Sequence, residues 1–149
     1  MFNVIAIVIN LFFYASPQDV VLDDGFYLTV DCAVRNNVKR KNMLDDRKAV
    51  CLGSQPIVSI HEIEAISDLA DAGLASYFDI AITARALDQF NTIRAAIKTT
   101  SIAVVINNKV LFVIAPDIPL ERVLRITVFA NSDIRNVRTI IAGELAKRD

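Results

Sequence analysis

The chain has 149 residues, a length that fits one domain with at most a small appendage. Hydrophobic residues make up 54% of it, which is enough for a core. Its 16 basic and 17 acidic residues leave a net charge of −1, and this lack of basic excess argues against nucleic acid as a partner.

The amino terminus is apolar from Val4 to Tyr14, broken only by Asn10. This run is too short to span a bilayer as a helix, which needs about 20 residues. Its length matches the apolar region of a secretory signal, and Ala15-Ser16 supply small residues near its end. Residues 1–16 are therefore predicted to be a signal peptide or a membrane anchor, which would make the protein periplasmic or envelope-associated. The alternative is a buried terminal element in a cytoplasmic protein, because no basic residue precedes Arg35.

Residues 17–48 are predicted to hold one strand and a charged loop. The alternating, β-rich stretch Phe26 to Val34 predicts the strand. From Arg35 to Lys48 the chain is polar, and the basic cluster Lys39-Arg40-Lys41 is followed by Asp45-Asp46. Because these acids offset the basic charge, we interpret the stretch as a solvated loop or short helix. A phosphate or lipid-headgroup patch is the alternative.

The chain has two cysteines, Cys32 and Cys51, and one histidine, His61. A zinc site needs three or four nitrogen or sulfur ligands, so no metal site is predicted. In an oxidising compartment the cysteines are a candidate disulfide, and closing that loop would contribute about 3 kcal/mol in the chain-entropy model. The alternative is a pair of small buried thiols.

Residues 49–149 are predicted to form the main α+β domain, beginning with a short strand from Ala49 to Leu52. Ser59 and Glu62 match a capping box, which predicts a helix start. The helix would bury one face and would carry His61, exposed, in its first turn. The apolar residues at helical spacing are Ile60, Ile63, Ile66 and Leu69.

Ala75 to Thr83 predicts the next strand, and from Ala84 the period changes to that of an amphipathic helix. The apolar face of this helix consists of Ala86, Phe90, Ile93 and Ile97. Two apolar runs around Asn107-Asn108-Lys109 then predict a hairpin, because asparagine tolerates the positive φ of a tight turn.

Pro116 and Pro119 interrupt the sheet pairing, since proline lacks the N–H that a ladder needs. Arg125 to Phe129 predicts the last strand, and Ile134 to Leu145 predicts a closing helix. The fold predicted from this order is α+β, with a mainly antiparallel sheet and helices on one face. Its second half, β-α-β-β-β-α, is ferredoxin-like.

From Val50 to Leu145 the chain resembles the head of the first periplasmic domain of SecD, in the SecD/SecF protein-export family. The resemblance rests on an ordered set of steps rather than on one motif. These steps are Ile82-Thr83, Ala86 and Phe90, the strand Ile102–Ile106, the turn Asn107-Asn108-Lys109-Val110, the step Ala115-Pro116-Asp117-Ile118 and the strand ending at Phe129.

Some positions depart from the family pattern. Arg85 and Thr127 stand where the family prefers glycine, and Asn107-Asn108 replaces Asp-Gly. No later apolar run is long enough to form the family's transmembrane segments, so the resemblance implies the fold but not the export-motor activity.

The resemblance implies an exported, non-enzymatic domain without a cofactor, which binds polypeptide or an envelope protein and serves as an accessory to protein export. Membrane attachment through residues 1–16 and homo-oligomerisation are compatible with this hypothesis. One alternative is a cytosolic, ferredoxin-like regulatory or oligomerisation module. The weakest alternative is a small hydrolase. Its candidate residues are Ser59, His61, Asp68, Asp71, Asp79 and Ser101.

Overall fold

The computed structural model describes residues 20–45, 48–129 and 133–148. The predicted signal or anchor, residues 1–16, lies outside these ranges. The described chain is mixed α+β with mostly antiparallel sheets, in agreement with the predicted class. Its elements are β1 (Gly25–Val30), β2 (Val38–Lys41), β3 (Ala49–Leu52), β4 (Val58–Ser59), a 3-10 turn (Ile60–Glu62), β5 (Ile63–Ile66), β6 (Ala70–Ala72), β7 (Ala75–Ile82), α1 (Ala84–Ala96), β8 (Ile102–Ile106), β9 (Lys109–Ile114), β10 (Val123–Phe129) and α2 (Asp133–Ala146).

Sheet 1 has the order β2-β3-β1-β8-β9, and β4 pairs with β1. The end of β2 also meets β9, because Asn42 forms a parallel bridge with Val110. Beside it, the Met43 N–H donates to the Val110 carbonyl at 2.9 Å. The strand order thus returns to its start, and sheet 1 closes into a small barrel.

The barrel encloses its own apolar cluster. Tyr27 is 1% exposed there, and its hydroxyl donates to the Asp23 carbonyl at 2.8 Å. A hydroxyl in an apolar interior needs such a partner. The buried members of the cluster are Leu22, Tyr27, Val38, Leu52, Ala103, Val105 and Val110.

Sheet 2 has the order β10-β7-β5, and β6 pairs with β7. One larger core joins sheet 2, the outer face of the barrel and both helices. At its centre the Phe26 and Phe90 rings meet edge to face, with centroids 5.0 Å apart. Thr83 caps α1 by accepting from the Ala86 N–H, so β7 leads directly into α1.

The helix predicted from Ser59 is wrong. Ser59 does cap, accepting the His61 N–H at 3.2 Å, but it starts only a single 3-10 turn before β5. A β-bulge between Ile63 and Ala65 explains the misleading pattern. The extra residue in a bulge lets side chains three positions apart face the same side, and this spacing imitates a helix.

Two boundaries before residue 49 also differ from the prediction. The first strand ends at Val30 rather than Val34, and part of the predicted loop is the strand β2. Val38 anchors β2 because its side chain is buried inside the barrel. Strands on both sides of residue 48 belong to sheet 1, since β1 pairs with β3 and β8.

A ferredoxin-like topology is not confirmed. The predicted order β-α-β-β-β-α is present as β7-α1-β8-β9-β10-α2. However, β8 and β9 belong to sheet 1, whereas β7 and β10 belong to sheet 2.

Candidate functional site

A groove of about 910 Å³ lies where the free edge of β10 approaches the barrel. One wall is β10, and the other is formed by β9, the ends of β1 and β3, and the loop after β2. The residues that line it are Thr29, Val30, Cys32, Asn42, Leu44, Asp45, Lys48, Ala49, Val50, Cys51, Ser101, Phe112, Val113, Ile114, Ala115, Ile118, Arg125, Ile126, Thr127, Val128 and Phe129.

The main chain of β10 is open toward this groove. The Ile82 N–H donates to the Arg122 carbonyl at 2.9 Å, and the register continues with Leu124 opposite Ile80. Bonded pairs recur at every second residue of an antiparallel ladder, so the even-numbered residues of β10 bond to β7. The odd-numbered residues present their N–H and C=O groups to the other side. Among the described residues, β10 pairs with no strand except β7. The odd-numbered residues are Val123, Arg125, Thr127 and Phe129.

The side chains along the groove divide into two kinds. On the core side of β10, Ile126 is 9% exposed, and Ile114 at the end of β9 is 6% exposed. On the other face Arg125 and Thr127 are exposed to solvent. Phe129 is 76% exposed and Ile118 is 48% exposed, so the groove offers large apolar side chains that water contacts.

Arg125 is held rigidly on the outer face of sheet 2. Its Nε and Nη2 donate to the two carboxylate oxygens of Asp79 at 2.8 and 2.9 Å. The guanidinium also stacks over Tyr77, 4.4 Å from the ring centroid. The hydrogen bond from Arg125 lowers the pKa of Asp79, and that bond in turn raises the pKa of Arg125.

One end of the groove is fixed by Arg94 from α1. Its Nη2 donates to the Ala115 carbonyl at 2.8 Å, and its Nη1 donates to the Ile118 carbonyl. Burial lowers the pKa of Arg94. These bonds hold the turn that contains Pro116 and so keep Ile118 at the groove.

The structure joins Cys32 and Cys51 in a disulfide, with Cα atoms 5.2 Å apart. Both cysteines line the groove. The bridge ties the turn after β1 to β3, so it holds part of the wall opposite β10.

The other residues singled out from the sequence lie in different places. Phe90 is buried in the core and Pro116 lies in the turn held by Arg94, whereas Phe129 lines the groove. Asn107 and Asn108, with φ of 51° and 62°, form the β8–β9 turn next to Lys109, which is exposed. This turn lies near the start of β1, since the Asn107 N–H donates to Asp24.

Four residues of the hydrolase alternative have side-chain partners with a structural role, namely Ser59, Asp68, Asp71 and Asp79. Ser59 accepts the main-chain N–H of His61, Asp71 accepts from Ser76, and Asp68 pairs with Arg138. In the described ranges, no three His, Cys, Asp or Glu side chains are grouped to hold a metal. In the same part of the chain, no helix is long and apolar enough to cross a bilayer.

Sequence reasoning singled out the strand Arg125–Phe129 but not its role in a groove, and it gave Ile114 no role in a site. The alternation of β10 was visible in the sequence. Its position at a sheet edge was not, because that depends on whether another strand pairs with the side of β10 that faces away from β7.

Comparisons with protein-family models, with curated proteins and with solved structures give no match to this chain.

Proposed function

We propose that the protein is an exported, non-enzymatic domain that binds an extended polypeptide segment by adding it as a strand along β10. The observation that carries the proposal is the open main chain of β10 beside a groove with exposed apolar side chains. An extended segment in this position would bond its own main chain to the odd-numbered residues of β10. Its side chains would cover Phe129 and Ile118.

The elongated shape of the groove favours an extended polypeptide segment as its occupant. Its residues extend along β10 from Arg125 to Phe129, with the barrel on the other side. The barrel wall leaves an added strand beside β10 covered on its core side. Main-chain bonds would supply affinity that depends little on sequence, as binding of varied polypeptides requires.

Strand addition can be tested with the peptide acetyl-Lys-Val-Thr-Val-Glu-Val-Thr-Val-Lys-amide and two N-methylated forms. One form is methylated at the valine nitrogens and the other at the threonine and glutamate nitrogens. Successive N–H groups of a strand point to opposite edges, so only the form methylated on the edge that meets β10 should lose binding. Fluorescence anisotropy of the labelled peptide measures this. Loss with both forms, or with neither, would contradict strand addition.

A matched pair of protein variants tests the same edge. Thr127→Pro removes an N–H that points into the groove and leaves the bonds to β7 intact, as edge strands tolerate. We expect it to weaken peptide binding about fivefold or more, since one main-chain bond contributes about 1 kcal/mol. Thr127→Ala keeps the N–H and should bind as the wild type does.

Export is the second part of the proposal, supported by the disulfide and by the signal-like sequence of residues 1–16. Expressed in a bacterium, the full chain should be found in the envelope fraction without its signal, or retained there by an anchor. Its intact mass should rise by two hydrogens on reduction. A full-length, reduced, cytosolic protein would contradict export and would favour the regulatory-module hypothesis.

The finer assignment, a SecD-head-like and ferredoxin-like fold with a role accessory to protein export, is part of the same proposal. The order of elements from β7 to α2 supports it. Binding along β10 does not depend on this family assignment, because the groove is defined by the positions of its own residues.

A further inference from the structure

The groove has two chemically different faces, and this difference restricts which polypeptide segments it fits. A strand added to β10 would point alternate side chains to the two faces of sheet 2. One set would meet the apolar core side, where Ile114 and Ile126 are buried and Ile118 is half exposed. The other set would lie beside Arg125 and Thr127, which are in water.

From this geometry we infer that the partner is an amphipathic β-segment, with apolar residues at every second position and an acidic residue beside Arg125. The inference rests on the proposed strand addition and names the class of segment that the groove selects.

Arg125 supplies the charge complementarity. Its guanidinium uses Nε and Nη2 on Asp79, and it is fixed by Tyr77. Nη1 has no bond to another described residue and lies on a side chain that is 60% exposed. A carboxylate on the added strand, opposite or diagonal to Arg125, lies within reach of this group.

A uniformly apolar segment fits the groove less well. Half of its side chains would lie on the face that carries Arg125 and Asp79, where they would stay in water or cover charged groups. Covering the Arg125–Asp79 ion pair takes both charges out of water, and an apolar side chain offers no bond in return, so free energy is lost. Of the two apolar side chains among the odd-numbered residues of β10, Val123 and Phe129, it is Phe129 that lines the groove, so an apolar residue is tolerated at that end.

The test compares the alternating peptide above with a block peptide of identical composition, acetyl-Lys-Val-Val-Val-Val-Glu-Thr-Thr-Lys-amide. We expect the alternating peptide to bind about tenfold or more tightly in the anisotropy assay, because only it can direct all four valines to the core side. Equal binding of the two peptides would overturn the inference and leave strand addition standing. If neither peptide binds, the proposed function itself fails.

The acidic preference is tested with a third peptide, in which the central glutamate is replaced by lysine. The glutamate form should bind the wild-type protein more tightly, and this difference should shrink in high salt. In the variant Arg125→Gln the glutamate preference should be lost or reversed, because the substitution leaves the Asp79 carboxylate without its cation. A glutamate preference that survives in Arg125→Gln, or no preference in the wild type, would remove Arg125 from the inference.

Discussion

Tyr27 places a phenol hydroxyl inside an otherwise apolar barrel. Burial of the side chain, together with the negative charge of Asp23, raises its pKa above the ordinary value of about 10. The neutral form is therefore favoured in the folded protein. The stability that this provides is complete below about pH 10, and it is lost as the pH rises through the folded-state pKa.

We expect Tyr27→Phe to show a smaller loss of unfolding free energy than the wild type between pH 9 and pH 12. At neutral pH the variant should be less stable by about 1 kcal/mol, because the bond to the Asp23 carbonyl is lost. Urea unfolding at a series of pH values measures both effects. If the unfolding free energies of the two proteins change with pH in parallel, folding does not change the pKa of Tyr27.

At the scale of elements, the β8–β9 turn combines a backbone requirement with a side-chain role. Asn107 and Asn108 both have positive φ, which glycine also adopts. Of the two side chains, that of Asn108 bonds to described residues beyond the turn, since its Oδ1 accepts from the Leu22 N–H at 3.1 Å and from Arg40 at 3.0 Å. The turn thereby ties the chain before β1 to β2.

Glycine substitutions separate these two roles. Asn107→Gly should change the free energy of unfolding by less than about 0.5 kcal/mol, because the turn conformation is kept. Asn108→Gly should cost about 1–2 kcal/mol, because the Leu22 N–H and Arg40 lose their acceptor. Thermal or urea unfolding of the two variants gives the comparison, and equal effects would show that the side chain of Asn108 contributes nothing.

Elements were predictable from the sequence where the side-chain period was undisturbed. The strand from Ala75 and helix α1 agree with prediction because each keeps one period throughout. The hairpin of β8 and β9 agrees because two apolar runs flank an Asn-Asn turn, although a bulge shifts its register between Val104 and Val105. The helix predicted over residues 60–66 was wrong because a bulge changes the side-chain period within a short strand. Strand β2 was not predicted because it has a single buried residue, Val38, among charged neighbours.

At the scale of the whole molecule, the order in which the strands pair could not be predicted from the sequence. The division into two sheets and the edge position of β10 follow from contacts between distant strands. Local composition does not encode such contacts. The candidate site depends on both features, so its strand could be predicted from the sequence and its groove could not.

The disulfide acts at this scale because it links the barrel across a long loop. Replacing both Cys32 and Cys51 by alanine should lower the free energy of unfolding by about 3 kcal/mol, since the unfolded chain gains the freedom of that loop. Reduction of the wild type should have a similar effect, and the same reductant should leave the double variant unchanged. A variant as stable as the wild type would show that the bridge does not constrain the unfolded state.

The two sheets are interlaced along the chain, and this has a consequence for how the protein folds. Sheet 1 uses strands before residue 60 and after residue 101, whereas sheet 2 uses strands between 63 and 82 and again from 123. Gly25 pairs with Val105, so the barrel cannot close until a long intervening segment has been synthesised. Such non-local pairing slows folding, since loop closure costs entropy before any contact forms. During synthesis the chain therefore lacks a complete sheet until its last third has emerged, and its apolar strands remain exposed to chaperones for most of that time.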